Sequence, residues 1–142
     1  MRGVSKKVYQ ILDANVNRAR EGLRVVEEIF RYVLKDSAIT RKLKAMRRDV
    51  ERIISDSRID ASFLKDCRDS KRDPGRLIHG AGEMARNSIQ DILNANLRRV
   101  GEALRVLEEF SKLMDAQASK NFKYLRFRFY DLEKAAHGRV RV

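Results

Sequence analysis

The chain has 142 residues, the length of one domain at about 150 residues each, and its 43% hydrophobic content is enough for a packed core, which excludes a disordered tail. With 32 Lys and Arg against 20 Asp and Glu the net charge is +12, which favours acidic ligands such as phosphates, nucleotides or RNA without choosing among them. The single cysteine, Cys67, excludes an intramolecular disulfide, His79 and His137 stand too far apart to suggest a metal cluster, and neither a signal core nor a run of about 20 apolar residues is present. The chain therefore reads as a soluble cytoplasmic protein with no membrane partner.

The first helix carries apolar residues at Leu12, Val16, Ala19, Leu23, Val26, Phe30 and Val33, alternating steps of four and three. Asp36 or Ser37 is the expected N-cap of a second helix with Ile39, Leu43, Met46, Val50 and Ile53 on one stripe, fading near Ser57. A connector over about 58–80 holds the only proline, Pro74, and one short helix around Ala61 to Lys65. His79-Gly80-Ala81-Gly82-Glu83 reads as a helix start. The segment Ile11 to Glu28 then returns as Ile92 to Glu109, an offset of 81 (92 − 11), with 11 of 21 positions identical from Ile11 to Arg31. A fainter echo pairs Leu43 to Glu51 with Leu125 to Glu133. The last helix, about Ala118 to Ala136, puts Phe122, Leu125, Phe129, Leu132 and Ala136 on its core face and Tyr124, Phe127 and Tyr130 on another, which calls for burial in a homodimer or against the connector. The tail from Gly138 should fray. The expected fold is all-α, a four-helix array made from a duplicated hairpin with a pseudo-twofold, its halves at about 5–57 and 81–137.

A helical wheel places Asn15 and Arg18 within the apolar arc, beside the small Gly22, and the second copy repeats this with Asn96, Arg99 and Ala103. Buried amides and guanidiniums need partners, so two Asn and two Arg are expected to converge on a shared cavity suited to phosphate. The competing reading pairs Arg18 with Glu21 and Arg99 with Glu102 in surface ladders, with Asn15 and Asn96 setting helix register. For Arg24, Glu27 and Glu108 a solvated ladder, Arg24 with Glu28 and Arg105 with Glu109, is the expectation. In the connector, Arg68, Asp69 and Asp73 suit either Mg²⁺ carried with phosphate or a solvated charged loop. Arg47, Arg48 and Arg52 form a basic face, read as solvated surface or as a phosphate clamp. Tyr124 and Phe127 suit pyrimidine stacking or, more commonly, dimer packing, and Cys67 reads as inert.

The string Asp13-Ala-Asn-Val-Asn-Arg-Ala-Arg-Glu-Gly-Leu-Arg-Val-Val-Glu-Glu, followed by Leu43-Lys-Ala-Met-Arg-Arg-Asp, Arg68-Asp69, Asp73-Pro74-Gly75 and the second copy from Ala95, resembles a small helical family often fused to the N terminus of thiamin phosphate synthase. The likeness covers roughly Ile11 to Lys112. It departs at Arg48, where the family pattern favours histidine, and at Pro74, where it favours valine. The resemblance implies a hydroxymethylpyrimidine-phosphate kinase using ATP and Mg²⁺. In that reading Arg18 and Arg99 grip phosphates, Asn15 and Asn96 orient the pyrimidine or its phosphate, and Glu21, Glu102, Asp69 or Asp73 hold Mg²⁺. Gly22, Arg68 and Arg47 complete the expected substrate site, and the expected partners are a phosphorylated pyrimidine, a nucleotide and thiamin phosphate synthase. Two other classes stand beside it: a non-catalytic accessory module of the thiamin pathway, and, ranked third, a nucleic-acid-binding protein resting on the net charge and the Arg47-Arg48-Arg52 face.

Overall fold

The structure, a computed structural model, describes residues 2–80 and 85–140. Helix α1 (Arg2–Glu28) runs into a π-helical turn (Ile29–Val33), followed by α2 (Ser37–Ser55), the short α3 (Ala61–Asp66), a 3-10 turn (Ser70–Arg72), α4 (Ile89–Ser111) and α5 (Ala116–Ala136). No strand occurs among the described residues, in agreement with the all-α expectation. Each later helix starts where a short polar side chain accepts from the first-turn amides. Asp36 accepts from the Ile39 N–H, Asp60 from Ser62 and Phe63, Ser88 from Asp91, and Asp115 from Gln117 and Ala118. No helix among the described residues is long and apolar enough to cross a membrane.

The predicted stripes meet in one core. Leu12, Leu23 and Val26 of α1, Phe30 of the π turn, Leu43 and Val50 of α2, Leu93, Val100 and Leu107 of α4, and Phe122, Leu125 and Phe129 of α5 are all buried. Full burial of each such side chain stabilises by about 1.5–3 kcal/mol, so the steps of three and four in the sequence become the main cohesive term of the fold. α1 packs chiefly on α4, each of the two also packs on the next long helix in the chain (α2 and α5), and α2 touches α5, where Arg128 donates to Asp49 at 3.1 Å.

Gly22 lies where α1 crosses α4. A Cβ there would stand 2.6 Å from Val100 Cγ2 and 3.4 Å from the Asn96 carbonyl oxygen. The small residue therefore admits the neighbouring helix, and does not leave the room for substrate expected beside Asn15.

Several boundaries differ from the sequence expectation. α4 begins at Ile89 on the Ser88 cap; His79 and Gly80 are not helical, and Ala81 to Glu83 lie outside the described residues. α5 starts two residues before Ala118, because Asp115 caps it. The caps Asp36 and Asp115 stand 79 apart (115 − 36). In that register buried Leu43, Met46 and Val50 correspond to Phe122, Leu125 and Phe129, whereas the echo pairing Leu43 with Leu125 is three residues away. A three-residue slip nearly preserves a helical face, so apolar pattern alone does not separate the two registers. Val33 is exposed because the π turn carries it off the stripe. The tail is tied down as far as Val140, which is buried: Arg139 donates to Asp36 at 2.7 Å and lies over the Phe30 ring. Tyr124, Phe127 and Tyr130 remain exposed, so the connector does not cover them.

Candidate functional site

The connector is fastened to α1 by side chains one helical turn apart. The Asp60 N–H donates to Tyr9 Oη at 2.9 Å, Gln10 Nε2 donates to the Cys67 carbonyl at 2.9 Å, and Arg68 donates to Asp13 twice, Nε to Oδ2 at 2.7 Å and Nη2 to Oδ1 at 2.8 Å. Tyr9 also meets Phe63 edge to face, and Ile59, Leu64 and Cys67 are buried beneath the segment. Burial pushes the Cys67 thiol above its ordinary pKa, which disfavours the nucleophilic thiolate and agrees with an inert reading. The paired Asp13 holds the Arg68 guanidinium above its ordinary pKa, through the hydrogen bonds first and the charge attraction second.

This fastening encloses a cavity of about 710 Å³ between α1 and residues 68–74, within the roughly 300–1,000 Å³ of small-molecule sites. Lys7, Arg18, Arg68 and Arg72 bring cations to its wall, Asp13, Asp69 and Asp73 bring carboxylates, and Asn15 and Asn17 bring amides. Arg18 is exposed and forms no ion pair among the described residues. Asn15 is buried, and its Nδ2 donates to the Ile11 carbonyl at 2.8 Å. Its amide donor is thereby committed, and Oδ1 remains to accept. Asp69 Oδ1 accepts from the Arg72 N–H and Asp73 Oδ1 from the Gly75 N–H, so the turn itself orients the two carboxylates.

The single cavity expected to gather Asn15, Arg18, Asn96 and Arg99 is not formed. Its other wall comes from the connector and not from α4. Arg18 and Arg99 are exposed, because each sits at the edge of its apolar arc, where a long side chain reaches water. Asn96 repeats the Asn15 geometry, donating to the Ile92 carbonyl at 2.8 Å, but it stands away from this cavity. The ladder alternative fares no better for these arginines: neither Arg18 with Glu21 nor Arg99 with Glu102 pairs among the described residues. Glu21 is exposed, and Glu102 lines a separate groove between α4 and α5 with Tyr130.

The solvated ladder expected for Glu27 and Glu108 is also corrected. Both are buried, at 0% and 3% exposure. Arg47 of α2 donates to Glu27 Oε1 at 3.0 Å, and Arg126 of α5 holds Glu108 Oε2 at 2.9 and 3.0 Å together with Arg105. Arg47 is therefore committed inside the bundle, away from the cavity that it was expected to serve. The outer ladder, Arg24 with Glu28 and Arg105 with Glu109, is formed, and the same two arginines also reach the buried carboxylates, Glu27 at 3.8 Å and Glu108 at 2.9 Å. Asp13, Gln10 and Lys7 were not singled out in the sequence. The signal for Asp13 was the repeat itself, which replaces it by Asn94 and so marks a charge that the second copy does without.

No three His, Cys, Asp or Glu side chains gather as metal ligands among the described residues. Asp69 and Asp73 line the same cavity, and one or two carboxylates suffice for an ion such as Mg²⁺, which completes its shell with water and phosphate oxygens.

Residues 10–135 match the ThiD2 family. The thiamine-phosphate synthase of Nostoc punctiforme is 40% identical over 138 residues, 97% of this chain and 38% of that protein. Those of Thermosynechococcus vestitus and Synechocystis are 40% identical over 130 residues and 41% over 131, covering 92% of this chain and 35% and 36% of theirs. The chain thus spans little more than a third of the length of these relatives. No solved structure matches. Since the family match runs through α1, α2, the connector, α4 and most of α5, the chain belongs to the ThiD2 family.

Proposed function

We propose that the chain acts in thiamin biosynthesis as a hydroxymethylpyrimidine-phosphate kinase, moving the γ-phosphoryl group of ATP onto a phosphate oxygen of hydroxymethylpyrimidine phosphate to give the diphosphate and ADP. The observation that carries this reading is the cavity between α1 and the connector, where cations, a carboxylate pair and an amide with a free acceptor meet. Phosphoryl transfer asks the protein for positioning and charge stabilisation and for little covalent work. Arg18, Lys7 and Arg72 hold phosphate oxygens, with Arg18 suited to a two-point grip. Asn15 Oδ1 accepts from the amino group of the pyrimidine. Asp69 and Asp73 would hold Mg²⁺, which would supply charge neutralisation to the phosphates. Arg68 positions this set by anchoring the connector to Asp13. The matched features of the two hairpins, Glu27 with Arg47 and Glu108 with Arg126, support descent from a duplicated hairpin with a pseudo-twofold. In this reading only the first copy keeps a ligand cavity against the connector, so Arg99, Asn96 and Glu102 lie outside the reaction.

The test is incubation with Mg²⁺, ATP and hydroxymethylpyrimidine phosphate, following ADP and the diphosphate. Product that disappears in Arg18→Lys, with the helical signal unchanged, supports the reading; full turnover by Arg18→Lys overturns the cavity assignment. The short coverage of the thiamine-phosphate synthase relatives favours a second reading, a module that binds the pyrimidine for a synthase without turnover. Tight pyrimidine binding with no ADP would select it.

A further inference from the structure

A second concavity, of about 520 Å³, lies where the π turn meets the start of α2. Arg31, Lys35, Arg41, Lys44 and Arg48 line it, and none of the five forms an ion pair among the described residues. The rest of the basic face is spent elsewhere: Arg47 on Glu27 and Arg52 on Asp49. The only carboxylate in the wall, Asp36, is taken by the Ile39 N–H and by Arg139, and these two hold its pKa below the ordinary carboxylate range, the backbone hydrogen bond first. It neutralises a cation outside the concavity and leaves the five inside uncompensated.

The local backbone is built to gather these charges. The i to i+5 turn, with the Leu34 N–H on the Ile29 carbonyl at 3.0 Å, departs from the α-helical spacing and turns Arg31 toward α2; such turns often mark functional sites. Lys35 adopts a left-handed conformation at φ 54, uncommon for a residue with a Cβ. Asp36 then caps α2, whose Ser37 and Thr40 side chains lie in the wall. Arg18, the cavity residue nearest along the chain, and Arg31 are 13 residues apart (31 − 18) along α1 and its π turn, roughly 20 Å at about 1.5 Å per residue, and the two hollows share no lining residue, so this concavity is separate from the cavity at the connector.

We propose that this concavity binds an oligophosphate chain, free or as the tail of a nucleotide, as a site distinct from the phosphoryl-transfer cavity. Five converging cations exceed what a single phosphate of charge near −2 balances, and they suit a ligand with three or more negative charges. Their arrangement around a hollow, rather than along a stripe, fits a compact anion better than a nucleic-acid backbone.

The experiment is calorimetric titration of the full chain with inorganic triphosphate, ATP and a short single-stranded RNA, each at two salt concentrations. Arg41→Glu with Lys44→Glu is compared with a charge-matched control, Arg98→Glu with Lys134→Glu, on the α4 and α5 surface. We expect triphosphate to bind the wild type and the control alike and at least tenfold more weakly in the Arg41/Lys44 variant. Equal ATP and triphosphate affinities place recognition in the phosphates, whereas tighter ATP assigns part of it to the nucleoside; both satisfy the proposal. Equal weakening in the two variants would show that only net charge is read, and RNA binding tighter than triphosphate with a steep salt dependence would assign the surface to nucleic acid; either overturns it. Binding is read without the pyrimidine, so it stands or falls apart from the kinase reading. Loss of turnover in the folded Arg41/Lys44 variant would merge the two sites and overturn their separation.

Discussion

Arg68 holds both carboxylate oxygens of Asp13, at 2.7 and 2.8 Å, across 55 positions of sequence. Asp13 is nearly buried while Arg68 keeps about half of its side chain in water, so solvent screens the pair and its contribution to stability is modest. Its main effect is geometric. It fixes the residues just after it, Asp69 and Asp73, against the α1 face that carries Asn15 and Arg18.

Replacing Arg68 by Lys keeps the charge and removes the fork that matches a carboxylate. If the connector then drifts by about 1 Å, activity falls by up to roughly 100-fold. We expect Arg68→Lys to lower kcat/KM for the pyrimidine phosphate by about 10- to 100-fold while the thermal midpoint moves by only a few degrees. An unchanged kcat/KM would remove the connector from the working site.

The four long helices were legible in the sequence because each has an apolar residue every three or four positions, and α2 also because Asp36 caps it; the caps Ser88 and Asp115, which set the starts of α4 and α5, were not. Leu12 to Phe30 and Phe122 to Ala136 needed no tertiary information. What was illegible depends on distance across the fold. Arg18 was expected inside the apolar arc and Glu27 in a solvated ladder, yet Arg18 reaches water and Glu27 is sealed, because Glu27 has a neighbouring arginine, Arg47, on the helix that covers it. The π turn at Ile29–Val33 has no composition signal, and it rotates Val33 off the stripe that α1 had carried to Phe30. For the site, Asn15, Arg18, Arg68, Asp69 and Asp73 do come together, but through the connector and not through the second repeat, a long-range packing that periodicity does not encode.

Gly22 and Val100 give a test of the α1/α4 crossing. Gly to Ala inside an exposed helix ordinarily stabilises by about 1 kcal/mol. Here the added methyl would stand 2.6 Å from Val100 Cγ2, and overpacking costs about 1–3 kcal/mol. The second effect should win, so Gly22→Ala is expected to lose about 1 kcal/mol or more in urea denaturation. In a Val100→Ala background the clash is gone, and the same substitution should become neutral or stabilising. A double-mutant cycle that came out additive would mean that the helices do not approach at this pair.

Acid stability depends on the caps of α2 and α5. The Arg58 N–H, with those of Ala118 and Gln117 and the Arg58 charge, holds Asp115 below the ordinary carboxylate pKa, and the Ile39 N–H with Arg139 does the same for Asp36. A folded-state pKa lower than the unfolded value of about 3.9 gives stability that is fully present above that value and is lost as pH falls through the folded pKa. Asp115→Asn keeps a capping acceptor but carries no charge and does not titrate. The variant should therefore be less stable than the wild type at pH 7, and the difference should shrink steadily below about pH 4. Denaturant midpoints measured by helical circular dichroism from pH 7 to pH 2.5 check this, and two curves that stayed parallel over that range would show that the Asp115 charge contributes nothing to the fold.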